Sequence, residues 1–185
     1  MALMLLTGRR ECEILNGASV LTRHTDYSIT FHGQAKKRGA AVEYVIPTLE
    51  RADLILCAFE ALRRRQGAVV LTNRETSRRY QSYLSRHLSA TKPWSQCARV
   101  HSLRGLYACM AFRLFDWRDH SQAFVAMCLL GHSSLSESLV YTPFHLGDDF
   151  TEEPRLGVGH FTPWVPPEHH SLQASASEER YLPEP

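Results

Sequence analysis

The sequence predicts a mainly α-helical fold with one small antiparallel β-sheet near its start. Three observations carry that expectation. Apolar residues recur at helical spacing through most of the stretch from 50 to 142. Two short runs rich in β-branched and aromatic residues, 27–33 and 42–49, flank a basic, glycine-containing loop. The chain has 185 residues, 44% of them hydrophobic and 22% charged, which is enough apolar material for one sizeable core.

Taken in order, "LMLLTGRRECEIL" (3–15) reads as a helix. "YSITFHG" (27–33) and "VEYVIPTL" (42–49) read as two strands joined by "QAKKRGAA". "ERADLILCAFEALRRRQG" (50–67) has apolar residues at 55, 58, 59 and 62, with Gly67 placed to end the helix. "NRETSRRYQSYLSRHL" (73–88) takes Asn73 as its N-cap and sets Tyr80, Tyr83 and Leu84 on one face. "HSLRGLYACMAFRLF" (101–115) carries Leu103, Leu106, Tyr107, Met110 and Leu114 at core spacing. "SQAFVAMCLLGH" (121–132) is a second core helix ending near Gly131, and "SLSESLVYT" (134–142) is a shorter one stopped by Pro143. The periodicity ends near residue 146. The rest is rich in proline, serine and glutamate and reads as a mostly disordered acidic tail over 146–185, following a domain over 1–145.

The overall charge of +2 conceals an asymmetry. Residues 1–145 carry 19 Lys/Arg against 11 Asp/Glu, and residues 146–185 carry 2 against 8. A basic body fits a polyanionic partner, and Arg74, Arg78 and Arg79 cluster on one predicted helix. A solvated helix face explains the same cluster equally well. The five cysteines are odd in number and widely spaced, with no metal-binding pair among them, so the default is reduced thiols in the cytoplasm. No apolar run approaches the roughly 18 residues of a membrane span, so no membrane partner is expected.

Several short motifs carry chemistry when taken together. "TGRRECE" sets Arg10 three residues before Glu13, and "HSLR" sets His101 three before Arg104. "GQAKKR" puts Lys36, Lys37 and Arg38 on the loop between strands, and "LLGHSSLSESLVYTPF" holds His132 nine residues before Tyr141. Each alone has an ordinary explanation: a surface ion pair, a solvated helical turn, a solubilising loop, a helix end followed by a half-buried aromatic. In this chain order they resemble the catalytic domain of the tyrosine recombinases, relatives of the type IB topoisomerases. The likeness covers about residues 5–145. "TGRR", "FHGQAKKR" running on to "YVIPTLERA", and the histidine–tyrosine segment are most similar to the telomere resolvases, or protelomerases. The resemblance implies the DNA breaking–rejoining catalytic fold.

It also implies a role for each residue. Arg10 and Arg104 would clamp the non-bridging oxygens of the scissile phosphate, a task suited to a planar, permanently charged guanidinium. Arg10 is chosen over Arg9 because it stands three before Glu13. Tyr141 would be the nucleophile of a 3′-phosphotyrosine intermediate. A free phenol has a pKa of about 10, so it needs a proton acceptor, and His101 would be that base. His132 would donate a hydrogen bond to the phosphate. Lys36, with Lys37 as the alternative, would protonate the departing 5′ oxygen. Lys37, Arg38, Arg74, Arg78 and Arg79 would contact DNA. Because the phosphotyrosine stores the bond energy, no ATP, metal or other cofactor is called for, and no phosphate-cradling GxxxxGK[ST] loop occurs.

Only nine residues precede Arg10, so the chain reads as such a domain apparently truncated at its N-terminus. The expected partner is double-stranded DNA bearing an inverted repeat, bound by a dimer in a bacterial cell or phage-infected bacterium. The product would be covalently closed hairpin ends. Two other readings stand beside it: a conventional site-specific recombinase or integrase, and a DNA-binding remnant without catalysis.

Overall fold

A computed structural model describes residues 1–35, 43–66, 71–90, 100–115, 117, 120–132 and 134–141. Within them run α1 (Ala2–Thr7), α2 (Glu11–Leu15), β1 (Val20–Thr25), β2 (Ser28–His32), β3 (Tyr44–Pro47), α3 (Ala52–Gln66), α4 (Asn73–Ser89), α5 (Ser102–Leu114), α6 (Gln122–Leu130) and α7 (Leu135–Ser138). A 3-10 turn over Leu139–Tyr141 continues α7. The mainly helical architecture with a small antiparallel sheet is as expected.

The single helix expected over 3–15 is two helices. Gly8 adopts a left-handed conformation (φ 66°) and its N–H closes α1 onto the Met4 carbonyl. The ring of Tyr107 lies where a Cβ on Gly8 would project, so only glycine fits this turn. Arg10 then takes an extended conformation as the N-cap of α2. Glu13 reaches back to the Arg10 N–H at 2.8 Å, the carboxylate half of a capping box. An apolar pattern shared by two short helices conceals such a break.

The sheet has three strands, in the order β1-β2-β3, all antiparallel. The first of these was not anticipated. "VLTRHT" buries only Leu21 and leaves the rest exposed, so this edge strand lacks an alternating apolar signal. β2 and β3 pair from Ser28–Pro47 to Phe31–Tyr44, which brings the residues after β2 and before β3 to one end of the sheet. Phe31 and Tyr44 meet edge-to-face there, ring centroids 5.8 Å apart.

Three further details differ from expectation. The cap of α4 is Thr72, not Asn73: the Thr72 hydroxyl accepts from the Glu75 N–H at 3.2 Å, and the Glu75 carboxylate accepts from the Thr72 N–H at 2.8 Å. Tyr83 is exposed rather than set on a core face, whereas Leu84 packs with Met4, Ile14, Val100 and Leu103. His101 lies just before α5, as its N-cap, rather than within it. Gly131 ends α6 in the left-handed region (φ 64°), as the sequence predicts. Gly67, Pro143 and the tail over 146–185 lie outside the described residues.

Two apolar clusters meet at the site. One joins the sheet to α3 through Leu21, Ile29, Phe31, Ile46, Ile55 and Phe59. The other joins α5 to α6 through Tyr107, Ala111, Leu114, Val125, Leu129 and Leu130, and includes Tyr141. The Tyr107 hydroxyl donates to the Pro47 carbonyl at 2.7 Å and ties α5 to β3. Among the described residues no single helix is long and apolar enough to cross a membrane.

Candidate active site

Three arginines and one carboxylate converge where α1, α2, α5 and α6 end or begin. Glu13 is fully buried on α2. Its Oε1 accepts from Arg10 Nη1 at 2.8 Å and from the Ala35 N–H at 3.1 Å, and its Oε2 lies 3.7 Å from Arg104 Nη1. Burial opposes ionisation of this carboxyl, but Arg9, Arg104 and Arg10 together hold it below the ordinary carboxylate range. One carboxylate therefore fixes both arginines expected at the phosphate and also the backbone at Ala35, one residue before Lys36. Arg10 Nη1 additionally reaches the Ala35 carbonyl at 3.3 Å.

Arg104 is buried at 1% exposure. Its Nη1 donates to the Gly8 carbonyl at 2.6 Å and its Nη2 to the Leu130 carbonyl at 3.2 Å, so it takes charge compensation from the C-terminal ends of α1 and α6. Its Nε is buried with no hydrogen-bond partner among the described residues. Such a donor has a cost of about 1–3 kcal/mol unless an acceptor is supplied.

The same Nη2 lies 3.5 Å from Nε2 of His132. On its other side, His132 Nδ1 is 2.8 Å from the Ser138 hydroxyl. Burial first, then the charges of Arg104, Arg10, Arg9 and His101, push the His132 pKa down to about 3, so the ring is neutral at pH 7. It stacks on the Tyr141 ring at 5.5 Å and 24°. The Tyr141 hydroxyl is 2.7 Å from His101 Nε2. Arg10, Glu13, Arg104, His132, Tyr141 and His101 thus form one unbroken chain of contacts, drawn from four separate elements.

Arg9 has a different place. It is fully buried, with its guanidinium over the faces of Phe31 and Tyr44 at 5.2 and 5.4 Å. It donates to the Tyr44 hydroxyl and to the Thr7 and Leu129 carbonyls. These contacts make it a strut between the sheet and α6, whereas Arg10 faces the carboxylate at partial exposure.

Arg74, Arg78 and Arg79 are exposed on α4. Lys36, Lys37 and Arg38 lie outside the described residues. The sequence reasoning missed Tyr44, Gln34 and Ser138. Gln34 donates to the Gly131 carbonyl, beside His132, and so fastens the chain just after β2 to the end of α6. No local pattern marks Tyr44 or Gln34. Ser138 stands six residues after His132, a spacing that gains meaning only once α7 folds back on the histidine.

The chain is similar to solved protelomerases. A protelomerase TelA variant covalently complexed with substrate DNA matches at 24% identity and a TM-score of 0.67, over 75% of this chain and 50% of that one. A second TelA complex with substrate DNA matches at 23% identity and 0.67, over 94% and 54%. Protelomerase TelK complexed with substrate DNA matches at 20% and 0.64, over 98% and 41%. The chain thus spans about half the length of the solved chains it matches. Among curated protein sequences none matches it. The model of the telomere resolvase ResT/TelK catalytic domain matches residues 1–144. With the family model spanning most of the chain and the fold shared with protelomerases, this chain belongs to the telomere resolvase catalytic-domain family.

Proposed function

We propose that this chain supplies the catalytic domain of a telomere resolvase, which cuts double-stranded DNA and rejoins it as covalently closed hairpin ends. The observation that carries this reading is the Tyr141 hydroxyl, bonded to His101 and stacked on a neutral histidine that meets a buried arginine. Attack of Tyr141 Oη on the scissile phosphorus forms the tyrosyl–phosphate bond and breaks the bond to the 5′ oxygen. The phenolic proton passes to His101 Nε2, and Lys36 protonates the leaving oxygen. Arg10 and Arg104 neutralise the charge that gathers on the phosphorane. In the second step the 5′-hydroxyl of the opposite strand attacks the phosphotyrosine, releases Tyr141 and closes the hairpin.

Two protomers act on an inverted repeat, one tyrosine for each strand. The exposed Arg74, Arg78 and Arg79, with Lys37 and Arg38, contact the DNA backbone. The domain extends over 1–145, the acidic segment 146–185 lies beyond it, and the enzyme acts in the cytoplasm, where its DNA substrate is.

The test is incubation of the protein with end-labelled fragments of its source replicon, resolved on a denaturing gel. Strands that snap back to duplex after melting, with wild-type protein and not with Tyr141→Phe, are expected. A covalent protein–DNA adduct without hairpins would instead place the chain with conventional recombinases. Salt-sensitive binding with neither product would leave only a DNA-binding role.

A further inference from the structure

His132 poses a chemical problem that its neighbours solve. A neutral imidazole carries one N–H, and the two ring nitrogens cannot both donate. Arg104 Nη2 stands 3.5 Å from Nε2 and is a donor only, so in the free protein Nε2 must accept. The proton then resides on Nδ1 and is donated to the Ser138 hydroxyl at 2.8 Å. To bond a phosphate oxygen from Nε2, the ring must hold the other tautomer, with Nδ1 as acceptor. A partner at Nδ1 that could only accept, such as a main-chain carbonyl, would forbid that state.

Ser138 forbids neither. A serine hydroxyl donates or accepts by rotating about one bond. This one is completely buried, on the four-residue helix α7, so water does not compete for it. The 3-10 turn that follows α7 ends on Tyr141, which stacks against the same ring. One short segment therefore carries both the hydroxyl facing Nδ1 and the proposed nucleophile.

We propose that Ser138 is a positioning residue: its hydroxyl accepts from Nδ1–H while Nε2 accepts from Arg104, and by rotating donates to bare Nδ1 once Nε2–H donates to the phosphate, with water delivering one proton to Nε2 and carrying the Nδ1 proton away. The phosphate step rests on the telomere-resolvase reading. The tautomer control does not.

The test uses the full chain labelled with 15N-histidine, as wild type, Ser138→Ala and Ser138→Thr, with urea midpoints recorded to monitor folding. Long-range 1H–15N spectra at neutral pH report the His132 tautomer. The wild type is expected to hold the proton mainly on Nδ1. Ser138→Ala is expected to lower the Nδ1–H to Nε2–H ratio at least threefold, and Ser138→Thr to keep it. On DNA fragments of the source replicon, Ser138→Ala is expected to slow phosphotyrosine formation by about tenfold, one lost hydrogen bond, with DNA affinity unchanged. An unchanged tautomer ratio in folded Ser138→Ala overturns the proposal. A wild type that binds DNA but makes no adduct overturns the resolvase chemistry instead, while the spectra still decide the role of Ser138.

Discussion

Replacing Glu13 by Gln removes the only negative charge in contact with Arg10 and Arg104 among the described residues. The carboxylate is fully buried and accepts from the Arg10 and Ala35 N–H groups as well as from Arg10 Nη1. Removing one partner of a buried ion pair costs about 3–5 kcal/mol, because the other charge stays buried and unpaired. Glutamine keeps one oxygen and so retains part of the hydrogen bonding, which sets the expectation near the lower figure. With a urea m-value of about 2 kcal/mol per molar, the unfolding midpoint falls by roughly 1.5 M. The acid side gives a second reading. Three arginines depress the Glu13 pKa in the folded protein, so its contribution is present above the unfolded value of about 4.3 and lost as pH falls through the folded one. Glu13→Gln removes that part of the acid sensitivity. Equilibrium urea unfolding of both proteins at neutral pH and at about pH 3 is the assay. A midpoint shift below about 0.5 M at neutral pH would refute the reasoning, since the arginines would then draw their compensation elsewhere.

Two other outcomes follow from the same geometry. His132 is protonated in the unfolded chain below about pH 6.5 but stays neutral when folded down to about 3, so the unfolded state binds the extra proton in that window. Stability should fall on acidification across it by about 1.4 kcal/mol per pH unit from this group, and His132→Gln should remove that slope in urea titrations. At Gly131, the left-handed backbone and an added Cβ at 2.5 Å from Gln34 Nε2 and 2.9 Å from the Tyr44 hydroxyl both oppose alanine. Gly131→Ala should lower Tm by about 5 °C or more in a thermal scan, the left-handed strain alone being about 1–2 kcal/mol. Adding Gln34→Ala should recover part of that loss.

The sequence was legible where residues close in the chain stay close in the fold. His101 and Arg104 are read three apart because both must stand near the first turn of α5, and Tyr141 is read because a short α7 covers the distance from His132. The helix ends at Gly131 were legible because a left-handed turn restricts the residue. What was not legible depends on contacts between distant segments. Nothing local distinguishes buried Arg9 from Arg10; the difference arises when Phe31 and Tyr44 present their ring faces to one and Glu13 its carboxylate to the other. The break at Gly8 was masked by the apolar residues on either side of it, and β1 by its exposure on all but one residue. Glu13 was legible as a partner of Arg10, but its reach to Arg104 and Ala35 belongs to the folded chain alone.

The buried arginines draw much of their support from carbonyls at Thr7, Gly8, Leu129 and Leu130, together with the Ala35 carbonyl beside Arg10. A side-chain acceptor can be deleted by one nucleotide change. A peptide oxygen is present whatever residue bears it, provided the two glycine turns hold their shape. Apolar exchanges at Leu129 and Leu130 that keep the core packed therefore leave the orientation of the guanidiniums intact. That gives a physical account of how lineages differing at three residues in four can share the fold, with TM-scores of 0.64–0.67 at 20–24% identity. By the same reasoning, variation in this family should be most restricted at Gly8 and Gly131, whose turns hold those carbonyls in place.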